Sequence, residues 1–325
     1  MNIVYIATDS YTSMLGISML SLINNSKDLA TLDIYILSPD LTDKSKKLIS
    51  GLVKEENHSV HYIDISDFNE KISFSFSTSG FHPIVLARLF LGSYLPAHVK
   101  TILYLDCDVI VHGSLLPLEA VSVLNCAFAA VPELCMPEAQ KKRLGLSKND
   151  PYFNAGVLLI NLQYWRSHQM HKKFLDYYST MRGKLLYNDQ DILNHCCRGN
   201  ILELSHRYNL SPGLPYFPRY FIKKYQPAYY CSSSAEYYDI LKQPSIIHFL
   251  GEERPWMHGN FNYYRKIYNY YKSISPWKNE PTVKGREFFL FCYHILNCIT
   301  LICPWFRQAF TRLIGIHYYT IAKKK

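Results

Sequence analysis

Glycine-rich phosphate loops are absent from this sequence. The first apolar run, "NIVYIAT", continues into "DSYTSML", and no glycine occurs before Gly16. Dinucleotide-binding folds and P-loop proteins need glycines at this turn, because the backbone there must approach phosphate closely. Both classes are therefore excluded at this position, and a diphosphate would have to be neutralised by a cation held elsewhere in the chain.

Paired cysteines and a leader segment are also missing. The nine cysteines include no C-x-x-C pair, which predicts reduced thiols in a cytosolic protein rather than a disulfide framework. The N-terminus shows no basic segment followed by an apolar run, so we expect no secretory signal.

The main body of the chain has almost no excess of either positive or negative charge. The formal net charge is +9, but residues 276–325 hold eight Lys or Arg against two Glu. Nucleic-acid-binding proteins usually have a basic stripe on the folded body, so nucleic acid is not expected as a partner. The uneven charge divides the chain into residues 1–275, one large domain, and residues 276–325, a basic tail.

No apolar run in the sequence reaches the length of a membrane span. The longest, "FFLFCYHILNCITLI" at 288–302, has fifteen residues, whereas a spanning helix needs about twenty. Basic residues lie on both sides of this run. We therefore predict a monotopic anchor that inserts apolar side chains into a membrane surface and attracts anionic lipid. The alternative is a C-terminal helix that packs on the domain.

Apolar runs rich in β-branched residues alternate with segments of helical spacing. This alternation predicts an α/β fold with a Rossmann-like, mixed but mostly parallel sheet flanked by helices. Helices are expected over 14–24, 42–54, 84–95, 165–181 and 189–197. The predicted strands are 2–8, 31–38, 58–66, 99–111, 125–133, 155–162 and 245–251.

Two aspartates interrupt the apolar run "YLDCDVIV" at 104–111. On an extended strand, Asp106 and Asp108 would point to the same side, with Cys107 pointing into the packing behind them. Two neighbouring carboxylates repel each other unless a cation lies between them, and hard oxygen ligands suit Mg²⁺ or Mn²⁺. The pattern indicates a divalent-metal site that could hold a diphosphate. The alternative is a pair of solvated turn carboxylates.

Five further segments accompany this acidic pair: "ATDSY" (7–11), "LARLFLG" (86–92), "PYFNAGVLLINLQYW" (151–165), "YNDQDILNHC" (187–196) and "IIHFLGEERPW" (246–256). The set resembles family 8 of the retaining glycosyltransferases, in particular the bacterial lipopolysaccharide and lipooligosaccharide galactosyl- and glucosyltransferases. The resemblance implies a GT-A catalytic domain over residues 1–275 that moves galactose or glucose from a UDP-hexose donor. The acceptor would be a saccharide, the lipopolysaccharide core or another lipid-linked glycan. The enzyme would be bound peripherally to the inner face of the cytoplasmic membrane.

The resemblance also implies the metal ligands. Asp106 and Asp108 would be joined by His248 from "SIIHF". An imidazole beside two carboxylates favours Mn²⁺, with Mg²⁺ as the other candidate. Taken by itself, His248 would more often be a core histidine bonded to a backbone group.

The implied donor site draws on several separate parts of the chain. The Tyr11 ring would stack on the base, and Arg254, where relatives commonly carry Lys, would add a second cation at the diphosphate. The alternative for Arg254 is a surface ion pair with Glu252 or Glu253. By resemblance, the donor contacts are Ala7, Thr8, Asp9, Ser10, Tyr11, Arg88, Asp106, Cys107, Asn154, Ala155, Gly156, Asp189, Gln190, His248, Gly251 and Arg254.

Three consecutive residues are the catalytic candidates: Asp189, Gln190 and Asp191. Retention of configuration can follow from double displacement, which needs a protein nucleophile. It can also follow from attack by the acceptor on the same face that the leaving group departs from. Gln190 stands where a carboxylate nucleophile would be expected, so front-face transfer is favoured, with Asp189 positioning a sugar hydroxyl.

Two other functions are compatible with parts of this pattern. Haloacid-dehalogenase-type phosphatases also use D-x-D, but they place it after the first strand and follow it with Thr or Ser. In this chain it comes after the fourth predicted strand and continues "VIVHG". A non-catalytic sugar-nucleotide-binding protein would have no need of the D-x-D, N-A-G and D-Q-D motifs together.

Overall fold

The computed structural model describes residues 1–53, 57–78, 80–134, 136–225, 233–307 and 309–310. Its strands are β1 (Asn2–Ile6), β2 (Leu32–Ser38), β3 (His58–Asp64), β4 (Thr101–Leu105), β5 (Val109–Val111), β6 (Phe128–Pro132), β7 (Phe153–Asn161), β8 (Ile201–Glu203) and β9 (Ile246–His248). Its α-helices are α1 (Thr12–Asn25), α2 (Asp43–Ser50), α3 (Leu91–Tyr94), α4 (Leu116–Glu119), α5 (Glu138–Arg143), α6 (Leu162–Ser167), α7 (Met170–Thr180), α8 (Asn188–Cys196), α9 (Arg219–Tyr225), α10 (Ser234–Lys242), α11 (Arg265–Ile274) and α12 (Glu287–Ile302). Short 3₁₀ helices occupy Asp9–Tyr11, Ser66–Asn69, Pro83–Phe90, His206–Tyr208 and Leu214–Tyr216.

Seven strands form one sheet in the order β3-β2-β1-β4-β7-β6-β8. Strand β1 runs parallel to both β2 and β4, with Ile3 opposite Ile34 on one side and Leu103 on the other. Strand β7 is antiparallel to its neighbours β4 and β6. The sheet is therefore mixed but mostly parallel, which confirms the predicted α/β class.

Alternate residues of the central strands face two separate cores. Ile3 and Tyr5 of β1 pack on one side of the sheet with helix α1, whereas Val4 and Ile6 pack on the other side. All four are buried. Because both faces of β1 are covered, the strand is apolar along its whole length, as expected for a parallel strand between two layers of helices.

The direction of strand order reverses between β1 and β4. From β1 the chain passes through α1 to β2 on one side, whereas β4 pairs with β1 on the other side. Open α/β sheets bind ligands in the crevice at the carboxyl ends of the two strands where such a reversal occurs. The segments at that crevice are residues 7–11, after β1, and residues 106–108, after β4.

The strand predicted over 99–111 is two strands in two different sheets. Strand β4 ends at Leu105, and β5 pairs with β9 in a separate two-stranded sheet, with Val109 opposite His248. Asp106 and Asp108 therefore lie in the bend between two strands. The prediction that they point the same way because they alternate along one strand is wrong. The bend is held because the Asp106 amide donates to the carbonyl of Gly156 (2.8 Å) and the Cys107 thiol to the carbonyl of Ile6 (3.4 Å).

Two predicted helices also differ from the structure. The segment 84–95 is mostly the 3₁₀ helix Pro83–Phe90, which then continues as α3. The predicted helix 165–181 is interrupted at Gln169, whose φ of 50° is left-handed and separates α6 from α7. The short edge strand β8, parallel to β6, was not predicted, because three residues are too few to show a period.

The C-terminal tail packs on the domain through Trp277 and helix α12, among other contacts. Trp277 is only 6% exposed and joins the core beside α1. Helix α12 buries Leu290, Asn297 and Thr300. Within the residues that the structure describes, no helix is both long enough and apolar enough to cross a membrane.

Replacing Gly16 tests how the tail docks on helix α1. A Cβ at Gly16 would lie 2.0 Å from Trp277 Cζ3. Alanine favours a helix over glycine by about 1 kcal/mol, but this overlap cannot be relieved without moving a buried indole. We expect Gly16→Ala to lower the free energy of unfolding by about 1–3 kcal/mol, measured by denaturant unfolding.

Gly92→Ala in α3 is the matched control. Its Cβ would meet side-chain atoms at 3.5 Å or more, which is ordinary contact. A Gly16→Ala variant as stable as Gly92→Ala would show that Trp277 does not occupy this position.

Candidate active site

Two carboxylates and one imidazole converge at the crevice. His248 Nε2 lies 3.2 Å from Asp108 Oδ1 and 3.8 Å from Asp106 Oδ2. One ligand atom from each of the three residues lies within 4.8 Å of the other two. The pairing of β5 with β9 brings His248 across to Asp108 from the far end of the chain. Two carboxylate oxygens and an imidazole nitrogen fit a divalent cation that accepts mixed ligands.

A hydrogen bond to the buried side chain of Asn209 orients the His248 ring of this cluster. His248 Nδ1 lies 2.9 Å from Asn209 Oδ1, and Asn209 Nδ2 donates to Asn154 Oδ1 (2.8 Å). Because the amide oxygen can only accept, Nδ1 carries the proton and Nε2 faces the carboxylates. Asn209 was missed in the sequence, since it lies outside the quoted motifs and its neighbours "HRYNLS" show no pattern of their own.

The charges of the cluster shift one another. Burial alone would raise the pKa of Asp108, but the positive charges of His248 and Arg254 hold this pKa below its usual value. Burial alone would lower the pKa of His248, but the carboxylates of Asp108 and Asp106 raise it above its usual value. The corner is therefore arranged to hold positive charge between the two aspartates.

Gly156 admits the histidine to the cluster. A Cβ at this position would lie 2.1 Å from His248 Cε1 and 2.9 Å from Asp106 Oδ2. The glycine of the "FNAG" motif is therefore needed for close approach of β7 to the cluster, beyond any contact with a donor. Its amide donates to Asn154 Oδ1 (2.8 Å), and this holds the Asn154 side chain toward Asn209.

Arg88 binds the cluster to the start of helix α8. Its Nη2 contacts Asp106 Oδ1 at 2.9 Å, its Nε contacts Asp189 Oδ2 at 2.9 Å, and its Nη1 donates to the carbonyl of Ala155 at 2.6 Å. The guanidinium also stacks over the Tyr104 ring at 4.5 Å. Arg88 is buried, and its contacts hold two carboxylates in fixed positions.

The three catalytic candidates have different surroundings. Asp189 is nearly buried against Arg88, and burial raises its pKa to about 6, although Arg88 opposes this shift. Gln190 Oε1 accepts from the Ala155 amide (2.9 Å). Asp191 is fully buried and accepts from the Tyr152 hydroxyl (2.6 Å) and the amide of Tyr187 (2.9 Å).

The segment after β1 presents one open aromatic ring. Tyr11 is 46% exposed, whereas Ala7 and Thr8 are buried and the Thr8 hydroxyl is bonded to that of Ser10 (2.9 Å). One carboxylate oxygen of Asp9 accepts hydrogen bonds from the backbone amide and the hydroxyl of Thr42. The hydrogen bond from the amide is the main reason that the pKa of Asp9 is lowered. This oxygen therefore caps the turn into α2.

The loop after β9 places one arginine near the cluster. Gly251 has a φ of +66° and is exposed. Among the described residues, Arg254 Nε is buried without a hydrogen-bond partner, and its charge lowers the pKa of Asp108. Glu252 pairs with Arg286 (2.8 Å) and Glu253 accepts from Asn297 (3.0 Å). The two predicted alternative partners of Arg254 are thus engaged elsewhere.

The sheet order, the acidic bend at the strand reversal and the distant histidine define a GT-A-type sugar transferase. The family model for glycosyl transferase family 8 matches residues 2–259, and the chain belongs to this family. The protein is accordingly a glycosyltransferase, as predicted.

Individual relatives agree with this assignment. A putative glycosyltransferase of Haemophilus influenzae is 30% identical over 217 residues, which span 65% of this chain and 64% of that protein. A lipopolysaccharide 1,2-glucosyltransferase of Escherichia coli is 29% identical, covering 85% of this chain and 79% of that protein. The crystal structure of the galactosyltransferase LgtC in complex with donor and acceptor sugar analogs matches at 25% identity and a TM-score of 0.70, covering 85% of this chain and 96% of that chain.

Removing the amide of Asn209 tests its effect on the cluster. In Asn209→Leu, the His248 ring loses the acceptor that orients it, so Nε2 no longer faces the aspartates. We expect divalent-cation affinity to fall about 10- to 100-fold, measured by isothermal titration calorimetry.

Asn161→Leu is the control, because Asn161 is also a buried asparagine but bonds the carbonyl of Val123 (2.8 Å) and caps α6. It should bind the cation like the unchanged protein. Unchanged affinity in a folded Asn209→Leu variant would remove Asn209 from this role.

Proposed function

We propose that the protein transfers galactose or glucose, with retention of configuration, from a UDP-hexose to a saccharide acceptor. The acceptor class is the lipopolysaccharide core or another lipid-linked glycan. The observation that carries this proposal is the cluster of Asp106, Asp108 and His248 at the strand reversal. Membership in family 8 and likeness to a lipopolysaccharide glucosyltransferase and a galactosyltransferase support the choice of donor and acceptor.

The cation proposed for this cluster is Mn²⁺, with Mg²⁺ as the second candidate, because an imidazole accompanies the oxygen ligands. A divalent ion bound there would neutralise the diphosphate and stabilise the charge that develops on the UDP leaving group. Arg254 would supply a second positive charge, since its buried Nε has no partner among the described residues. Gly251 would allow the backbone to approach a phosphate.

The remaining donor contacts are proposed from their exposure and their partners. The open Tyr11 ring stacks on uracil, with Thr8, Asp9 and Ser10 beside it. Asp189, held by Arg88 at 2.9 Å, orients a hydroxyl of the hexose. Contacts from Ala7, Cys107, Asn154 and Ala155 are proposed through the backbone, because Ala7 and Ala155 have no polar side chain, the Cys107 side chain is buried and that of Asn154 is bonded to Gly156 and Asn209.

Front-face transfer fits the surroundings of the catalytic candidates. Asp189 is ion-paired with Arg88, which makes it a poor nucleophile, and Gln190 has no charge. Asp191 is proposed to support the site, because its carboxylate is fully buried and hydrogen-bonded to Tyr152. The acceptor hydroxyl would then attack from the side of the departing diphosphate, without a covalent sugar-enzyme intermediate.

A panel of UDP-sugars tests the reaction. With Mn²⁺, we expect UDP release from UDP-galactose or UDP-glucose, and a fall of about 10²- to 10³-fold in Asp108→Asn. Asp43→Asn removes a fully exposed carboxylate and should leave the rate unchanged. Hydrolysis of phosphomonoesters without use of any UDP-sugar would favour the phosphatase alternative instead.

Helix α12 exposes apolar side chains on one side and buries two polar side chains on the other. Its exposed side chains include Phe288, Phe291, Ile295 and Ile302. These four, the apolar face of α12, lie within about 60° of one another at 3.6 residues per turn. The buried side contains Leu290 together with the polar residues Asn297 and Thr300. A helix on the surface of a soluble domain normally shows the reverse arrangement.

This inverted helix supports a proposal for the tail. Residues 1–275 form the catalytic domain, and residues 276–325 dock it peripherally on an anionic membrane surface, the inner face of the cytoplasmic membrane. The apolar face of α12 would enter the interface, and the basic excess of the tail would attract anionic lipid. Trp305 and Phe306, both half-exposed, continue the apolar surface beyond the helix.

Cosedimentation with vesicles tests this docking. Phe288→Ser combined with Phe291→Ser should weaken binding to phosphatidylglycerol vesicles by at least about tenfold, because each phenyl group contributes about 1.5–3 kcal/mol when buried. Leu124→Ser removes another exposed apolar side chain and is the control. Equal binding of the double variant and the control would contradict the proposal.

A further inference from the structure

The loop 250–257, which follows β9, has few hydrogen bonds between its own residues. The Glu253 amide reaches the carbonyl of Leu250 only at 3.4 Å, and the Met257 amide donates to the carbonyl of Arg254 at 3.1 Å. Further support comes from outside the loop. Asn260 and Asn262 donate to the carbonyls of Glu252 (2.8 Å) and Glu253 (3.0 Å).

The tail provides the side-chain partners of this loop. Asn297 of α12 donates to Glu253 Oε1 at 3.0 Å, and Arg307 donates in turn to the Asn297 amide oxygen. Arg307 also donates to the Tyr293 hydroxyl at 3.1 Å. One residue earlier in the loop, Glu252 pairs with Arg286 at 2.8 Å. Two successive loop carboxylates are thus bound by the tail.

The burial of Glu253 makes this contact sensitive to the position of α12. Glu253 is only 2% exposed, and a buried carboxylate costs several kcal/mol of free energy unless hydrogen bonds and opposite charge compensate it. Asn297 and Tyr293 of α12 supply hydrogen bonds, and Arg307 supplies positive charge nearby. Without α12 in place, the loop would have to change conformation to return this carboxylate to water.

The next residue, Arg254, lies on a loop that begins at the metal cluster, where the Phe249 amide donates to the carbonyl of Asp108 at 2.9 Å. Its Nε is buried and has no hydrogen-bond partner among the residues described. Glu253 therefore bonds the tail, while the neighbouring guanidinium is left available for an anionic ligand. A shift of the loop at Glu253 would move Arg254 as well, because the two residues share one peptide unit.

We propose that helix α12 is a working part of the donor site, in which Asn297 holds Glu253 so that Arg254 reaches the donor diphosphate. Glu253 and Asn297 are positioning residues, since they act through Arg254. This inference rests on the proposed function, because it needs a nucleoside-diphosphate donor. In this proposal the tail affects donor binding directly, without a contribution from lipid.

A double-mutant cycle on UDP affinity tests this inference. UDP binding is measured by isothermal titration calorimetry on the full chain at saturating Mn²⁺, without vesicles. Asn297→Leu, Glu253→Leu and Arg254→Ala should each weaken UDP binding by at least about fivefold. Asn297→Leu in the Arg254→Ala background should add less than about twofold, because the effect of Asn297 passes through Arg254.

Two variants are matched controls for this cycle. Glu253→Gln keeps an oxygen that accepts from Asn297, so its UDP affinity should stay within about twofold of the unchanged protein. Phe291→Ser alters the exposed face of the same helix and should leave UDP affinity unchanged. Thermal unfolding of each variant shows that the protein is folded.

The outcomes separate this inference from the function on which it rests. Failure of the unchanged protein to bind UDP would overturn the proposed donor, and this inference with it. If UDP binds and Arg254→Ala weakens it while Asn297→Leu and Glu253→Leu do not, the donor stands and the role of α12 is wrong. Additive losses in the double variant would also overturn it, because the tail would then act independently of Arg254.

Discussion

Two carboxylates and an imidazole cannot share one half-buried corner without positive charge among them. Asp106, Asp108 and His248 do share such a corner, and the surrounding structure is arranged to make that tolerable. Arg88 is ion-paired with Asp106, and the charge of Arg254 also lowers the pKa of Asp108. Much of the polar architecture around the crevice follows from this requirement, including the orientation of His248 by an amide.

Several features that look like donor contacts in the sequence also build the site. Arg88 is bonded to Asp106, Asp189 and the backbone, and Gly156 makes room for the His248 ring. Gln190 holds the amide of Ala155. These residues hold the site in a shape that a donor can enter. Such preorganisation lowers the reorganisation needed when charge develops on a leaving group.

The α/β class, most strands and the acidic pair were predictable from local signals in the sequence, such as apolar β-branched runs and the D-x-D pattern. His248 followed only from the family resemblance, because taken by itself it would more often be a core histidine. The break after Leu105, the amide of Asn209 and the contact between Glu253 and Asn297 were not predictable. Each depends on pairing between distant segments, such as β5 with β9, and a buried Asn has the same local sequence signal whether it caps a helix or orients a ligand.

The tail combines two proposed roles, membrane docking and support of the donor site. One side of α12 presents apolar side chains to solvent, and the other side bonds the loop that contains Arg254.

The proposed sugar transfer depends on a cation between the two aspartates and the histidine. The most direct measurement is anomalous diffraction at the manganese edge from crystals grown with Mn²⁺ and UDP. A single strong peak within coordination distance of Asp106, Asp108 and His248 Nε2 is the predicted result. Bound UDP with no anomalous peak at these three side chains would contradict the account.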